Sequence, residues 1–366
     1  MGKATFKRVN YIPKNDRDFG MTVRKRVNEY FKNNKIDRTG DYRIWIKVAI
    51  LPLLLIVPFG LILTNQFSNN LAIFYGLWVM MGIGLAGAGT GIMHDACHGA
   101  LSKNKKVNKI IGEFVWILAG GSALNWKIQH NVLHHTYTNV SGFDEDIDPS
   151  GIMRFTPEQP VKSFHKYQAY YAWFVYGLMT LQWATYKVFV QLKRFNDMGL
   201  VKAQGADYKK ELRKMIIYKV FYYSFYIVMP LLLLDVAWYH VVLGWLSMQY
   251  FAGLFLALIF QPAHVVPSTE FPVPDGENNV EGDWSKLQLL TTANFAPDNK
   301  LLSWYIGGLN FQIEHHLFLD VCHVHHKKLS KIVKKTAEEF GLPYYSKPTY
   351  IGALVSHFKM LHSLRK

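Results

Sequence analysis

Four apolar runs give the chain its outline. The first is Val48 to Leu63, extended by Ile46, with Lys47 placed to snorkel from its end. Its Pro52 and Pro58 are tolerable in a membrane helix. A linker without charge, Thr64 to Asn70, follows. Leu71 to Met93 then gives 23 residues with no Asp, Glu, Lys or Arg, enough to recross the hydrocarbon. Ile216 to Leu234 and Val236 to Gln261 are the other two. The pattern predicts four membrane-spanning helices at about 46–64, 71–93, 216–234 and 236–262. Between them, Phe114 to Leu124 is apolar but too short to span, which suits an interfacial or re-entrant piece. The ends are polar: a basic arm over 1–44, broken by Pro13 and Gly40, and a basic segment over 326–366. A short surface helix from Arg24 to Lys35 is the alternative to a solvated arm. Pro267, Pro272, Pro274 and Gly276 mark a loop after the last span.

Composition agrees with that outline. The 366 residues are 50% hydrophobic and 15% aromatic, and only 18% are charged. The net charge of +15 raises nucleic acid as a partner, but no nucleic-acid motif accompanies it. Apolar runs with basic flanks fit a lipid bilayer instead. Because the 64–70 linker lacks Lys and Arg and its flanks are rich in them, the positive-inside rule puts both termini in the cytoplasm. Two cysteines, Cys97 and Cys322, make neither a disulfide framework nor a cysteine-built metal site. The first 40 residues carry no h-region of a cleavable signal.

The histidines change the picture from membrane protein to membrane metal protein. All 15 lie from position 94 onward, and seven of them fall in three clusters. His94 and His98 are four apart, as are His130 and His134, so each pair shares a helix face. His135 adjoins the second pair. Gln312, His315 and His316 repeat the spacing far downstream. Neutral imidazole is the common nitrogen ligand of iron, zinc and copper. One such pair carries little, but three clusters in one chain point to a shared metal site. His264 lies just past a span end, as His94 does, and is a further candidate. Asp144, Glu145, Asp146 and Asp148 follow the second cluster and can accept the outer N–H of a ligating histidine. A solvated acidic loop is the alternative. His323, His325 and His326 precede a basic helix and read as a solvated face.

Parity then decides an ambiguous stretch. Gln168 to Tyr186 is apolar enough to span but full of Tyr and Trp. Were it to span, the second and third clusters would lie on opposite faces and could share no metal. It is therefore placed in the interface.

The tracts His94-Asp95-Ala96-Cys97-His98, His130-Asn131-Val132-Leu133-His134-His135 and Gln312-Ile313-Glu314-His315-His316 resemble the three histidine boxes of the membrane fatty acid desaturases. Their placement about the spans is similar over roughly 45–325. Gln312 in place of the first histidine of the third box resembles the front-end members. The tract Asn131 to Asn139 looks like bacterial acyl-CoA or linoleoyl-CoA types. The resemblance implies an all-α integral membrane protein with a cytoplasmic helical cap over a non-haem di-iron centre. The implied ligands are His94, His98, His130, His134, His135, His264, His315 and His316. Gln312, Asp146 and Asp148 are implied at most as supporting or substrate-facing residues. The implied reaction uses O₂ to place a cis double bond in a fatty acyl chain, as acyl-CoA or acyl-lipid, in the manner of the Δ6-like front-end enzymes. A family haem domain with His-Pro-Gly-Gly is not found, so a separate ferredoxin or cytochrome b5 type donor with its reductase is implied. A hydroxylase on the same scaffold is the alternative enzyme. A histidine-rich metal transporter is the non-enzymatic one, though its path would need polar residues at mid-membrane.

Overall fold

The computed structural model describes residue 6 and residues 8–12, 17–148 and 151–366, and it is mostly helical. Four helices are long and apolar enough to cross a membrane: Tyr42–Leu63, Leu71–His98, Tyr208–Leu233 and Trp238–His264. The first two expected runs lie inside theirs, and the last two overlap theirs, with Leu234, Val236 and Ala237 falling outside the helices. The helices outrun the apolar runs because polar residues extend them beyond the hydrocarbon. The second span continues through a π-helical turn, Gly89–Met93, and carries His94 and His98 on its last turns.

The second span is the central one. Of its apolar window 56% is buried, against 22% for the third. Small residues let its neighbours approach: a Cβ added at Gly82 would sit 2.5 Å from the carbonyl oxygen of Met248 on the fourth span. The third span turns Ile217, Val220 and Leu232 outward, an apolar face suited to lipid. Two links close the bundle at one end. Asn65, in the linker after the first span, donates to Asp235 at 2.5 Å and accepts the Asp235 backbone N–H at 3.1 Å. The ends bearing His98 and His264 are therefore together at the other end.

The rest of the chain builds a layer over that second end. Lys105–Leu118 and Ala123–His134 meet at 109°, a broken or re-entrant unit rather than a straight crossing. Gln168–Gly177 and Met179–Ala184 are separate helices, broken at Leu178, and no single span covers 168–186. They pack on the fourth span, where Thr180 donates to the Gln249 carbonyl at 2.6 Å, and leave Tyr170 and Phe174 exposed. Two short parallel strand pairs, Asn10–Ile12 with Asn279–Glu281 and Asn294–Phe295 with Ser346–Lys347, staple the chain ends to the layer.

Three expectations are corrected here. The N-terminal segment is not a loose arm over its helical part. Arg17–Asn33 is a helix whose Phe19, Val23, Val27 and Phe31 recur every four residues and bury against Leu329, Val333 and Ala337. Lys47 does not snorkel into water: it is 3% exposed, and its ammonium lies 2.6 Å from His323 Nε2. His323, His325 and His326 are likewise buried, not a solvated face. The basic helix His326–Glu339 turns its lysines outward, while the histidines at its start point into the layer.

Candidate metal centre

The second box is wound as a π-helix, Lys127–His134, in which the His135 N–H bonds back to the His130 carbonyl at 2.9 Å. An i→i+5 turn spreads one turn over an extra residue. His134 and His135 then both come round beside His130, which an α-helix would not allow. The third box occupies the short helix Gln312–Leu317, and every residue of it is buried.

These elements bring the box histidines into two adjoining groups. His94, His98, His130 and His315 place one nitrogen each within 4.8 Å of one another, and so do His134, His264 and His316. His135 lies between the groups, its ring centroid 4.6 Å from His315 and 4.3 Å from His316. All eight are therefore at one place, gathered from two span ends, the bent unit and the third box. Gln312 is also buried and lines the cavity beside them.

Three of the outer nitrogens are held by side chains. His130 Nδ1 lies 2.8 Å from Asp146, and His134 Nδ1 lies 2.9 Å from Asp144. His316 Nδ1 faces Gln288 Oε1 at 2.9 Å and the Thr138 hydroxyl at 3.1 Å. Gln129 donates to Asp146 from the other side. An Nδ1–H held outward this way leaves Nε2 as the inward lone pair. Buried Nε2 atoms of His98, His134, His264, His315 and His316 have no hydrogen-bond partner. Buried polar atoms without partners are costly, and a bound cation would satisfy them together. The residues therefore fit a pair of metal ions.

Electrostatics agrees. Burial pushes His130 down to about 4 and His135, His315 and His316 well below the usual imidazole value, which keeps them neutral, the ligating form. Burial also acts on His134, but the Asp144 carboxylate outweighs it and raises the group. That position favours a positive charge, which a metal ion supplies as well as a proton does. Burial alone would raise Asp146, yet the His130 bond and the neighbouring imidazoles hold it below the usual carboxylate range.

Some of this was missed from sequence. Asp144 belonged to the acidic run, but its partner could not be read there. It is held by its turn, accepting the N–H groups of Asp146 and Asn139, both at 2.9 Å. Asp148 stands at the cavity wall instead. Gln288 and Thr138 gave no signal. A second buried cluster also emerged: Asp95 Oδ2 accepts from Cys322 Sγ at 2.9 Å and lies 2.7 Å from His323 Nδ1. It ties the first box to the chain following the third, with Lys47 closing it from the first span.

A cavity of about 260 Å³ lies against the first group, touching His94, His130, His315 and Gln312. Its walls are mostly apolar, among them Leu85, Val115, Trp116, Ala119 and Phe260. It reaches the surface by Ile152 and Tyr186, which are 47% and 59% exposed.

Residues 68–348 match the fatty acid desaturase family. The chain is 32% identical over 366 residues to the sn-1 linoleoyl-lipid 6-desaturase of Synechocystis, covering 99% of each. It is 30% identical to the enzyme of the same name from Arthrospira platensis, covering 94% of this chain and 92% of that one. It is 34% identical to the acyl-lipid (8-3)-desaturase of Physcomitrium patens, covering 98% of this chain and 73% of that one. These relatives are named for acyl-lipid substrates, and the acyl-CoA type expected from the second box finds no support in them.

Proposed function

Since the chain belongs to the fatty acid desaturase family, we propose that it is an acyl-lipid desaturase of front-end type working with two iron ions. The observation that carries this is the junction of two unsatisfied histidine groups with an apolar cavity that opens between the acidic loop and the interfacial helices. His94, His98, His130 and His315 hold one ion, and His134, His264 and His316 the other, with His135 between. A di-iron pair supplies, with O₂, an oxidant strong enough for an unactivated C–H bond, for which no side-chain acid or base suffices.

The protein's own part is placement. Apolar walls take the acyl chain out of water and hold two adjacent methylenes at His94, His130 and His315. Gln312 faces the same space and can orient the chain or an oxygen atom beside it. Asp144, Asp146 and Gln288 lock the imidazole rings, so the site does not rearrange during turnover. The balance is RCH₂CH₂R′ + O₂ + 2 e⁻ + 2 H⁺ → RCH=CHR′ + 2 H₂O. The substrate gives two of the four electrons, and a separate donor gives the other two.

A lipid is preferred to a CoA ester because of the rim. Asp146, Asp148 and Glu145, which pairs with Arg194, stand there with Lys187, the one lysine lining the cavity among the described residues. CoA phosphates would find no basic cluster at this mouth. The exposed Phe164, Tyr167, Tyr170 and Phe174 lead up to the rim and suit the bilayer interface. The test is expression in a host fed defined fatty acids, with double bonds located by mass spectrometry in each lipid class. New double bonds should appear first in intact glycerolipids. Their appearance first in the acyl-CoA pool would reject the lipid substrate, and hydroxylated chains without new double bonds would reject desaturation.

A further inference from the structure

Seven of the eight candidate ligands are buried, and His98 is the exception. Its Nε2 points into the first metal group, yet the residue is only partly buried and forms part of the floor of an outer cleft of about 800 Å³. That cleft shares no lining residue with the acyl cavity. It is a second approach to the metals, from the opposite side, and one imidazole deep.

The cleft is basic. Lys103, Lys105, Lys109, Lys127 and Lys214 line it against Glu113 and Glu211. Lys214 satisfies both acids, at 3.4 and 2.9 Å, and Lys103 pairs with Asp37 at 2.8 Å. Lys105, Lys109 and Lys127 have no acidic partner among the described residues. The other basic surface, on His326–Glu339, is a poorer approach. Its Lys327 already pairs with Asp298 at 3.2 Å, and the 1% exposed His326 intervenes before His315.

We propose that this cleft is where a small acidic one-electron carrier protein docks, and that electrons enter the metal pair through His98. The proposal rests on the desaturase reading, which requires two external electrons per double bond. Three uncompensated lysines around the one partly buried candidate ligand give both the steering field and the short path. Opposite charge speeds encounter and aligns the partner, and two carriers bind in succession, each giving one electron. A CoA head group is disfavoured here, since its acyl chain would have to cross the histidine layer to reach the cavity.

The test uses full-length, iron-loaded protein in detergent and a plant-type [2Fe–2S] ferredoxin. Binding is measured by surface plasmon resonance at low and high salt. The double variant Lys105→Glu/Lys109→Glu should weaken binding about tenfold at low salt and converge with wild type near 0.5 M salt, where screening is short-ranged. Its iron content should equal that of wild type. Lys327→Glu/Lys328→Glu should bind like wild type. Equal binding by wild type and the cleft variant, or loss confined to the Lys327/Lys328 variant, would overturn the docking site. Displacement of ferredoxin by micromolar CoA would reassign the cleft to a substrate head group. Failure of the underlying reading looks different: wild-type protein that forms no double bond with dithionite, ferredoxin or any donor.

Discussion

At the residue scale, what distinguishes this site is how its imidazoles are oriented. Asp146 and Asp144 are the anchors for His130 and His134. Removing an outer partner of a metal-bound histidine commonly costs about 10–100-fold in metal affinity or activity. Asp146→Asn keeps the shape but cannot accept the Nδ1–H as an anion. It should retain the fold and lose iron in a chelator titration at about tenfold lower chelator. Asp148→Asn should not, and equal retention of iron by all three proteins would remove the anchoring role. A second residue-scale test concerns acid. His357 is buried, bonds the Val265 carbonyl at 2.8 Å and lies 2.6 Å from the Tyr176 hydroxyl, and burial holds it down to about 4. A free imidazole is near 6.5. The neutral form belongs to the folded state, so its contribution is complete above about pH 6.5 and is lost as pH falls toward 4. The loss is on the order of 3 kcal/mol. His357→Gln, which keeps a donor and an acceptor, should flatten the fall in melting temperature between pH 6.5 and 4 relative to wild type. Parallel curves would reject it.

At the element scale, helix ends that stop inside an apolar region need partners for their last carbonyls. The turn after Lys105–Leu118 and the break after Met179–Ala184 get theirs from one residue of the third span. Lys219 donates to the Gly120 carbonyl at 2.6 Å, to that of Trp183 at 2.7 Å and to that of Ala184. Ala119 and Trp183, beside those carbonyls, line the apolar cavity proposed for the acyl chain. Lys219→Met leaves them unpaired, at a cost of roughly a few kcal/mol. It should lower the melting temperature in detergent and broaden the double-bond positions, because the cavity wall loses its clamp. Lys219→Arg should do neither to the same extent. A Lys219→Met enzyme with native products and melting would show the clamp to be dispensable.

The same element shows what the sequence carried. Spans are legible because the hydrocarbon demands length and apolarity without a partner. The boxes are legible because helical spacing is local. Locally Lys219 is no more than a charge near a span end, since its carbonyl partners lie 35 to 99 positions away. Asp95 with His323 spans 228 positions and left no local trace. The N-terminal helix was different: its four-residue repeat of apolar side chains was there to be read, and the basic composition around it hid the stripe. The α-helical spacing rule covers His130 with His134 but not His135, which the π-turn brings alongside His130.

At the scale of the whole molecule, two sets of contacts between distant parts mark the two ends of the bundle. Asn65 and Asp235 close the end without histidines. At the far end, the N-terminal helix packs on His326–Glu339, and the first box meets His323. The N-terminal helix, the helix His326–Glu339 and the three boxes thus lie at one end of the bundle, and from the distribution of Lys and Arg we propose that this end faces the cytoplasm. Chemistry makes this directly testable, because Cys97 and Cys322 are the only cysteines and both are buried. Single cysteines can be introduced at the exposed Asn69, Lys105 and Lys328 without background labelling. In intact cells an impermeant maleimide should label Asn69→Cys alone. After permeabilisation Lys105→Cys and Lys328→Cys should label as well. Labelling of all three only after permeabilisation would leave the bundle without a crossing. If Lys105→Cys and Lys328→Cys respond from opposite faces, the stretch 168–186 crosses the bilayer. The second and third boxes could then not meet, and the shared metal centre would fall with them.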